Sequence, residues 1–257
     1  MRILILDLEI SPSLAAVWGL WGQNIPIGNI TGESEILSWA AKWHGEEECS
    51  YSSLRIAGHT AAGSKRMLKE IHSMMNEADV VVGYNQDKFD LKILNKEFLL
   101  HGLPPPSPYK SIDLLKVMKR KFRWTSNKLD YVAQRLGLGK KLSHPGMQMW
   151  LDCMNPHSVN YNESWDAMEA YNCEDVFLTE ALYDKVLGWI PNHPNQNLYN
   201  EGHGCPICGS DHIQRRGWAK LKSLTYRRYQ CMSCTQWLRA VKAEPRENLD
   251  ERLVQEA

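Results

Sequence analysis

Apolar and polar positions follow two different periods along this chain. A buried strand is predicted over residues 2–6, from the short apolar run Ile3-Leu4-Ile5-Leu6 that Asp7 ends. Residues 14–21, 36–43 (Ile36-Leu37-Ser38-Trp39-Ala40-Ala41-Lys42-Trp43) and 50–54 predict three more strands. From 64 to 77 the period becomes helical, with Met67, Leu68, Ile71, Met74 and Met75 on one face. Val80-Val81-Val82 predicts another short strand. Helices are expected over 89–101, 112–121, 127–136 and 164–188, separated by the proline run at 104–108 and the Gly137/Gly139 turn. A meander of early strands followed by β/α alternation predicts an α/β domain with a mixed sheet flanked by helices.

Composition adds limits. The 257 residues are 43% hydrophobic and 23% charged, an ordinary globular mixture that excludes fibrous and disordered classes. Thirty Lys/Arg balance thirty Asp/Glu, which excludes a histone-like polycation. The charge is unevenly placed, however. Residues 205–240 hold seven basic side chains against Asp211 alone, whereas 1–204 hold 20 basic and 24 acidic. The turn-forming stretch Pro191-Asn192-His193-Pro194-Asn195-Gln196-Asn197 separates the two regions. The expected organisation is a main domain at 1–190, a linker at 191–202, a basic module at 203–240 and a charged tail at 241–257. A second basic block, 110–141, has ten Lys/Arg against two Asp, interleaved with Phe122, Trp124 and Tyr131. That mixture suits a solvated helix face, and equally a groove that tracks phosphates and stacks bases. No apolar run approaches the roughly 20 residues that span a bilayer, and Ile3-Leu4-Ile5-Leu6 is too short for a signal peptide. A cytoplasmic chain with no membrane partner is expected.

Candidate chemistry lies in three acidic segments. Asp7-Leu8-Glu9 ends the first strand, and residues i and i+2 of an extended chain point the same way. Two such carboxylates repel unless a cation lies between them, although a solvated strand end has the same wording. In Gly83-Tyr84-Asn85-Gln86-Asp87-Lys88-Phe89-Asp90 a strand runs into a turn and Asp90 starts a helix, where an acid is commonly a cap. In Tyr171-Asn172-Cys173-Glu174-Asp175, Tyr171 and Asp175 share a helix face. Their apolar neighbours make a buried acid costly without a partner, and a metal ion would supply one.

Taken in order, ILDLE (5–9), GYNQDKFD (83–90), SNKLDYVAQRLGLGKK (126–141) and YNCED (171–175) resemble the motifs of the DEDD superfamily of 3′–5′ exonucleases, in the branch with a catalytic tyrosine. The resemblance is to the proofreading exonuclease domain of family B DNA polymerases; it spans roughly residues 1–188 and includes no polymerase part. It implies a ribonuclease H-like fold and a two-metal hydrolysis with Mg²⁺ or Mn²⁺. By the same resemblance Asp7 bridges both ions, Glu9 and Asp175 complete the site that activates water, and Asp90 supports the second ion. Tyr171 would orient the water, and Asn85 and Phe89 would contact the terminal nucleotide. Lys128, in the third motif, places the basic block beside the nucleic-acid groove; Asp113 and Asp130 are expected to be caps or salt-bridge partners.

The seven cysteines split into two CxxC pairs and three single residues. Cys205-Pro206-Ile207-Cys208 and Cys231-Met232-Ser233-Cys234 present two thiolate knuckles and predict one structural Zn²⁺ with a closed four-sulfur shell, resembling a zinc ribbon. His203 and His212 are spare. Cys49, Cys153 and Cys173 are expected as small apolar residues. Arg215, Arg216, Arg227 and Arg228, among Trp218, Tyr226, Tyr229 and Trp237, suit nucleic-acid binding; a replication or repair protein is the alternative partner of the module. The expected activity is removal of 5′-mononucleotides from the 3′ end of DNA, preferably single-stranded. An RNA-trimming exoribonuclease and an inert nucleic-acid-binding adaptor are the alternatives.

Overall fold

The N-terminal apolar run becomes β1 (Ile3–Ile10), the middle strand of a five-stranded sheet. Both of its faces are covered: Leu4, Leu6 and Leu8 join the main hydrophobic cluster, and Ile3 and Ile5 are also buried. An unbroken apolar run rather than strict alternation is what a strand buried on both sides requires. The computed structural model describes residues 1–200, 202–221 and 224–244. It divides into two compact units, Arg2–Tyr183 and, with Met1, the chain from Asp184 onward. The tail expected at 241–257 lies outside the described residues from 245 on.

After β1 come a small hairpin of β2 (Leu14–Ala15) and β3 (Ile30–Gly32), then β4 (Ile36–Trp43) and β5 (Ser50–Ser53). The one-turn α1 (Leu54–Ala57) leads to α2 (Ala61–Glu77), whose Thr60 cap accepts the Gly63 amide at 3.0 Å. Next are β6 (Val80–Gly83), α3 (Asp90–Leu100), β7 (Lys110–Asp113), α4 (Leu114–Lys121), α5 (Leu129–Leu136), α6 (Met147–Met154) and α7 (Tyr161–Val186). The sheet order is β5-β4-β1-β6-β7. β1, β4 and β5 pair antiparallel; β1, β6 and β7 pair parallel. The expected mixed α/β sheet flanked by helices is thus present.

Pairing between β1 and β6 runs from Ile3↔Val80 to Ile5↔Val82. Asp7 and Glu9 therefore lie beyond it, at the carboxyl end of the parallel strands, the edge at which α/β sheets place their sites. The same edge receives the segment after β6 and the end of β7.

Three local expectations are corrected. Of the strand expected at 14–21, only Leu14 and Ala15 pair; Trp18, Leu20 and Trp21 are almost fully exposed, so that apolar run finds no surface to bury against. Residues 110–113 are strand, and the helix expected from 112 begins at Leu114, because Asp113 turns its carboxylate onto the amides of Leu115 (3.0 Å) and Lys116 (3.4 Å) as a cap. Helix α6 was not expected: it is apolar nearly all round and starts at Gly146 with no side-chain cap.

In the C-terminal unit, α8 (Asn197–Asn200) precedes β8 (Ile213–Lys220), β9 (Thr225–Cys231) and β10 (Trp237–Arg239), an antiparallel sheet in the order β10-β9-β8. No described helix is long and apolar enough to cross a membrane.

Candidate active site

Strand β1 delivers Asp7 and Glu9 to one side, and α7 delivers Asp175 opposite them. One carboxylate oxygen from each lies within 4.8 Å of the others. α7 can do this because its buried residues Trp165, Met168, Asn172, Asp175, Val176 and Thr179 set three polar side chains among apolar ones. Asn172, fully buried, donates from Nδ2 to Asp7 Oδ2 at 2.8 Å and accepts Ser38 Oγ at 3.0 Å. Trp150 of α6 donates from Nε1 to Glu9 Oε2 at 3.1 Å. Asp90 opens α3, and its Oδ1 accepts the Leu8 amide, between Asp7 and Glu9, at 3.2 Å. Asp90 is thus adjacent to the cluster but outside the three-carboxylate group.

The electrostatics are those of crowded, desolvated acids. Burial pushes the Asp7 carboxyl well above its ordinary value, and the charges of Asp90, Glu9 and Asp175 push it further. Burial, then Asp175, raises Glu9 to about 7. Burial raises Asp90 to about 6 despite the backbone hydrogen bonds that oppose it, and raises Asp175 in spite of the neighbouring Lys141. Such a group resists full ionisation at neutral pH, and a bound cation would relieve that resistance. Asp175 Oδ1 is buried without a hydrogen-bond partner, as a position for a cation would leave it. The donors are hard carboxylate oxygens, which fit Mg²⁺ or Mn²⁺.

Lys141 Nζ pairs with Asp175 Oδ2 and donates to Tyr171 Oη at 3.1 Å. Its backbone amide is held by Asp130 Oδ1 at 2.9 Å, a structural contact that is neither the helix cap nor the salt bridge expected for that acid. The Tyr171 hydroxyl is raised above its ordinary value by burial and by Asp175, so it is a neutral phenol at pH 7. Its ring meets His144 edge-on at 5.0 Å and Trp150 at 6.2 Å. Lys141 falls in a quoted motif but was assigned no task there; Trp150, Asn172 and His144 were missed. Asn172 stood inside YNCED, and its buried helix position was the available signal.

Asn85 adopts a left-handed backbone (φ 70°), which asparagine tolerates, and its amide donates to Asp113 Oδ1 at 3.0 Å. It borders an open pocket of about 450 Å³ lined also by Lys88, Lys116, Lys119 and Arg120. Phe89 is exposed, and Lys128 is exposed at the start of α5.

In the C-terminal unit the four thiols lie within 4.8 Å of one another, with Cys205–Cys234 and Cys208–Cys231 sulfurs each 3.6 Å apart. Four sulfurs about 2.3 Å from a tetrahedral zinc are separated by about 3.8 Å, so the cage fits that ion. Burial raises the Cys231 thiol, yet the amides of Cys234 and Ser233 hold it down at about 7, favouring the thiolate that metal binding needs. His203 and His212 are outside the group. Arg215 and Arg216 are exposed on β8; Arg227 stacks over Trp218 and pairs with Glu244; Arg228 lies over Trp237.

A comparison with curated proteins gives no match. Among solved structures, the family B DNA polymerase from the hyperthermophilic archaeon Pyrobaculum calidifontis is similar at 21% identity and a TM-score of 0.48, over 73% of this chain and 24% of that one. The RNase_H superfamily profile matches residues 39–187, from within β4 to just past α7. That match takes in more than half of the sequence, and the chain accordingly belongs to the RNase_H superfamily, a superfamily of nucleases.

Proposed function

We propose that this protein is a metal-dependent 3′–5′ exonuclease that removes 5′-mononucleotides from DNA, preferably single-stranded. The observation that supports it most is the convergence of Asp7, Glu9 and Asp175 from β1 and α7 within 4.8 Å, around an unpartnered Asp175 oxygen. Asp7, Glu9 and Asp175 would hold one Mg²⁺ or Mn²⁺, and Asp7 with Asp90 a second. Such a pair stabilises the attacking and leaving oxygens of an in-line displacement at phosphorus.

The side chains do the remainder. Tyr171, a neutral phenol beside Asp175, orients the attacking water by hydrogen bonding. Lys141 fixes Tyr171 and Asp175 relative to each other. Trp150 holds Glu9 and Asn172 holds Asp7 in their working rotamers, which spares reorganisation during the reaction. The exposed Phe89 ring stacks on the terminal base, and the basic pocket beside Asn85 receives backbone phosphates. The functional domain limits we propose are 1–190 for the nuclease and 203–240 for a zinc ribbon.

The test is digestion of matched 3′- and 5′-labelled DNA and RNA strands in Mg²⁺. Stepwise loss from the 3′ end of DNA, abolished by Asp7→Ala with oligonucleotide binding retained, is the expected result. Digestion that survives Asp7→Ala overturns the site. Faster trimming of RNA overturns the substrate, and binding without turnover in either ion makes the chain an inert adaptor.

A further inference from the structure

The C-terminal sheet has two unlike faces. The register Arg239↔Arg228, Leu238↔Tyr229 and Trp237↔Gln230, with Ala219↔Tyr226 and Trp218↔Arg227, sorts the side chains by alternation. Tyr226, Arg228, Trp237 and Arg239 share one face. Trp218, Arg227, Tyr229 and Arg215 share the other.

We propose that the first face binds single-stranded nucleic acid by stacking bases on its arginine–aromatic pairs, an inference that rests on the nuclease reading above and locates the contact within the module. Arg228 lies over the Trp237 ring at 4.9 Å, and Arg239 over the Tyr226 ring at 4.4 Å. Each pair joins β9 to β10, and the two arginines lie side by side between the Trp237 and Tyr226 rings. Arg228, Trp237 and Arg239 are exposed, with Trp237 51% accessible.

Two further observations identify the occupant. Arg228 and Arg239 are direct cross-strand partners, and like charges in that relation destabilise a sheet. Neither forms an ion pair among the described residues, and residues 212–240 contain no Asp or Glu at all. The opposite face differs, since Arg227 is neutralised by Glu244. A face that retains two opposed, unneutralised guanidinium groups beside stacked rings is matched by a polyanion with π faces. Guanidinium donors meet phosphate oxygens, while the rings meet bases. An acidic protein would satisfy the charges but leave the rings unused.

The experiment uses the full chain carrying Asp7→Asn to prevent turnover, with a fluorescein-labelled dT 20-mer read by anisotropy. Replacing both arginines (Arg228→Gln with Arg239→Gln) should weaken binding at least tenfold and flatten the log K against log salt slope by about 1.4, at about 0.7 per phosphate contact. Trp237→Leu should weaken it about tenfold with the slope unchanged, as loss of one stacked base does. Bound zinc, measured in each variant, confirms the fold; the paired glutamine variant, which relieves repulsion, decides if Trp237→Leu loses metal. Unchanged affinity in zinc-replete variants, or equal binding of an abasic 20-mer or polyglutamate, overturns the inference. Hydrolysis of thymidine 5′-monophosphate p-nitrophenyl ester by the chain without Asp7→Asn reports on the nuclease site alone, so its absence sinks that reading and not this one.

Discussion

Lys141 Nζ and Asp175 Oδ2 form an ion pair inside the acidic cluster, though 34 positions separate the two residues. The ammonium holds down the carboxyls of Asp7, Glu9 and Asp175, each of which burial raises. Lys141→Met should therefore move the onset of Mn²⁺ binding upward by about 1 pH unit, the low end for losing a contacting opposite charge. Isothermal titration from pH 5.5 to 8.5 reads the shift. An unmoved onset would mean that Lys141 does not act on these acids.

Asp90 is tied to the backbone of β1 through an oxygen that asparagine also has. Asp90→Asn should keep the Leu8 hydrogen bond, and hence the melting temperature within about 2 °C, a change below about 1 kcal/mol. It should lower bound Mn²⁺ from two ions to one and reduce turnover by at least a hundredfold. Electron paramagnetic resonance counts the ions; two tight ions in the variant would remove Asp90 from the metal site.

Asp7, Glu9, Asp90 and Asp175 all hold protons more tightly folded than unfolded, with Glu9 at about 7 and Asp90 at about 6. In the absence of divalent ions the stability they contribute is complete below their unfolded values near pH 4 and is lost as pH rises towards 7. Relative to the Asp7→Asn variant, the protein dialysed free of Mg²⁺ and Mn²⁺ should melt lower at pH 7.5 than at pH 5. Added Mn²⁺ should reverse the order, since it binds the ionised acids. Thermal melts at the two pH values suffice, and parallel behaviour of both proteins would refute the linkage.

Removing zinc should separate the two units. The small sheet has little core of its own, so a mercurial titration or Cys208→Ser should release one zinc and collapse the near-ultraviolet signal of its tryptophans. The Arg2–Tyr183 unit has its own core and should retain hydrolysis of the p-nitrophenyl ester within about twofold. Simultaneous loss of both signals would show that the Arg2–Tyr183 unit depends on the C-terminal one.

The mixed sheet was legible because β1, β4 and β6 are apolar runs of strand length, and α2 has a clean helical stripe. Ligand candidates were legible because Asp7 and Glu9 obey the two-residue period and Asp175 interrupts an apolar helix. The supporting residues were not. Trp150 reaches Glu9 from 141 positions away and Lys141 reaches Asp175 across a loop, so no local period signals either contact. Trp18 and Trp21 misled for the opposite reason: apolar wording predicted burial, while the strand partner that would have covered them is absent from that hairpin.

The position of β1 has a dynamic consequence. It is the middle strand of the sheet, paired with β4 from Leu4 to Ile10 and with β6 from Ile3 to Ile5, so the amides of that doubly paired first half are expected to be among the last to exchange with solvent. Asp7 and Glu9 follow directly on that segment, where β1 has left β6 but still pairs with Ala40 and Ser38 of β4. Lys141 lies in the irregular stretch 137–146, outside any strand or helix, and Trp150 on the short helix that follows it. The acidic cluster is thus flanked on one side by a sheet-bound strand and on the other by a loop residue, Lys141, held through the side chains of Asp130, Tyr171 and Asp175.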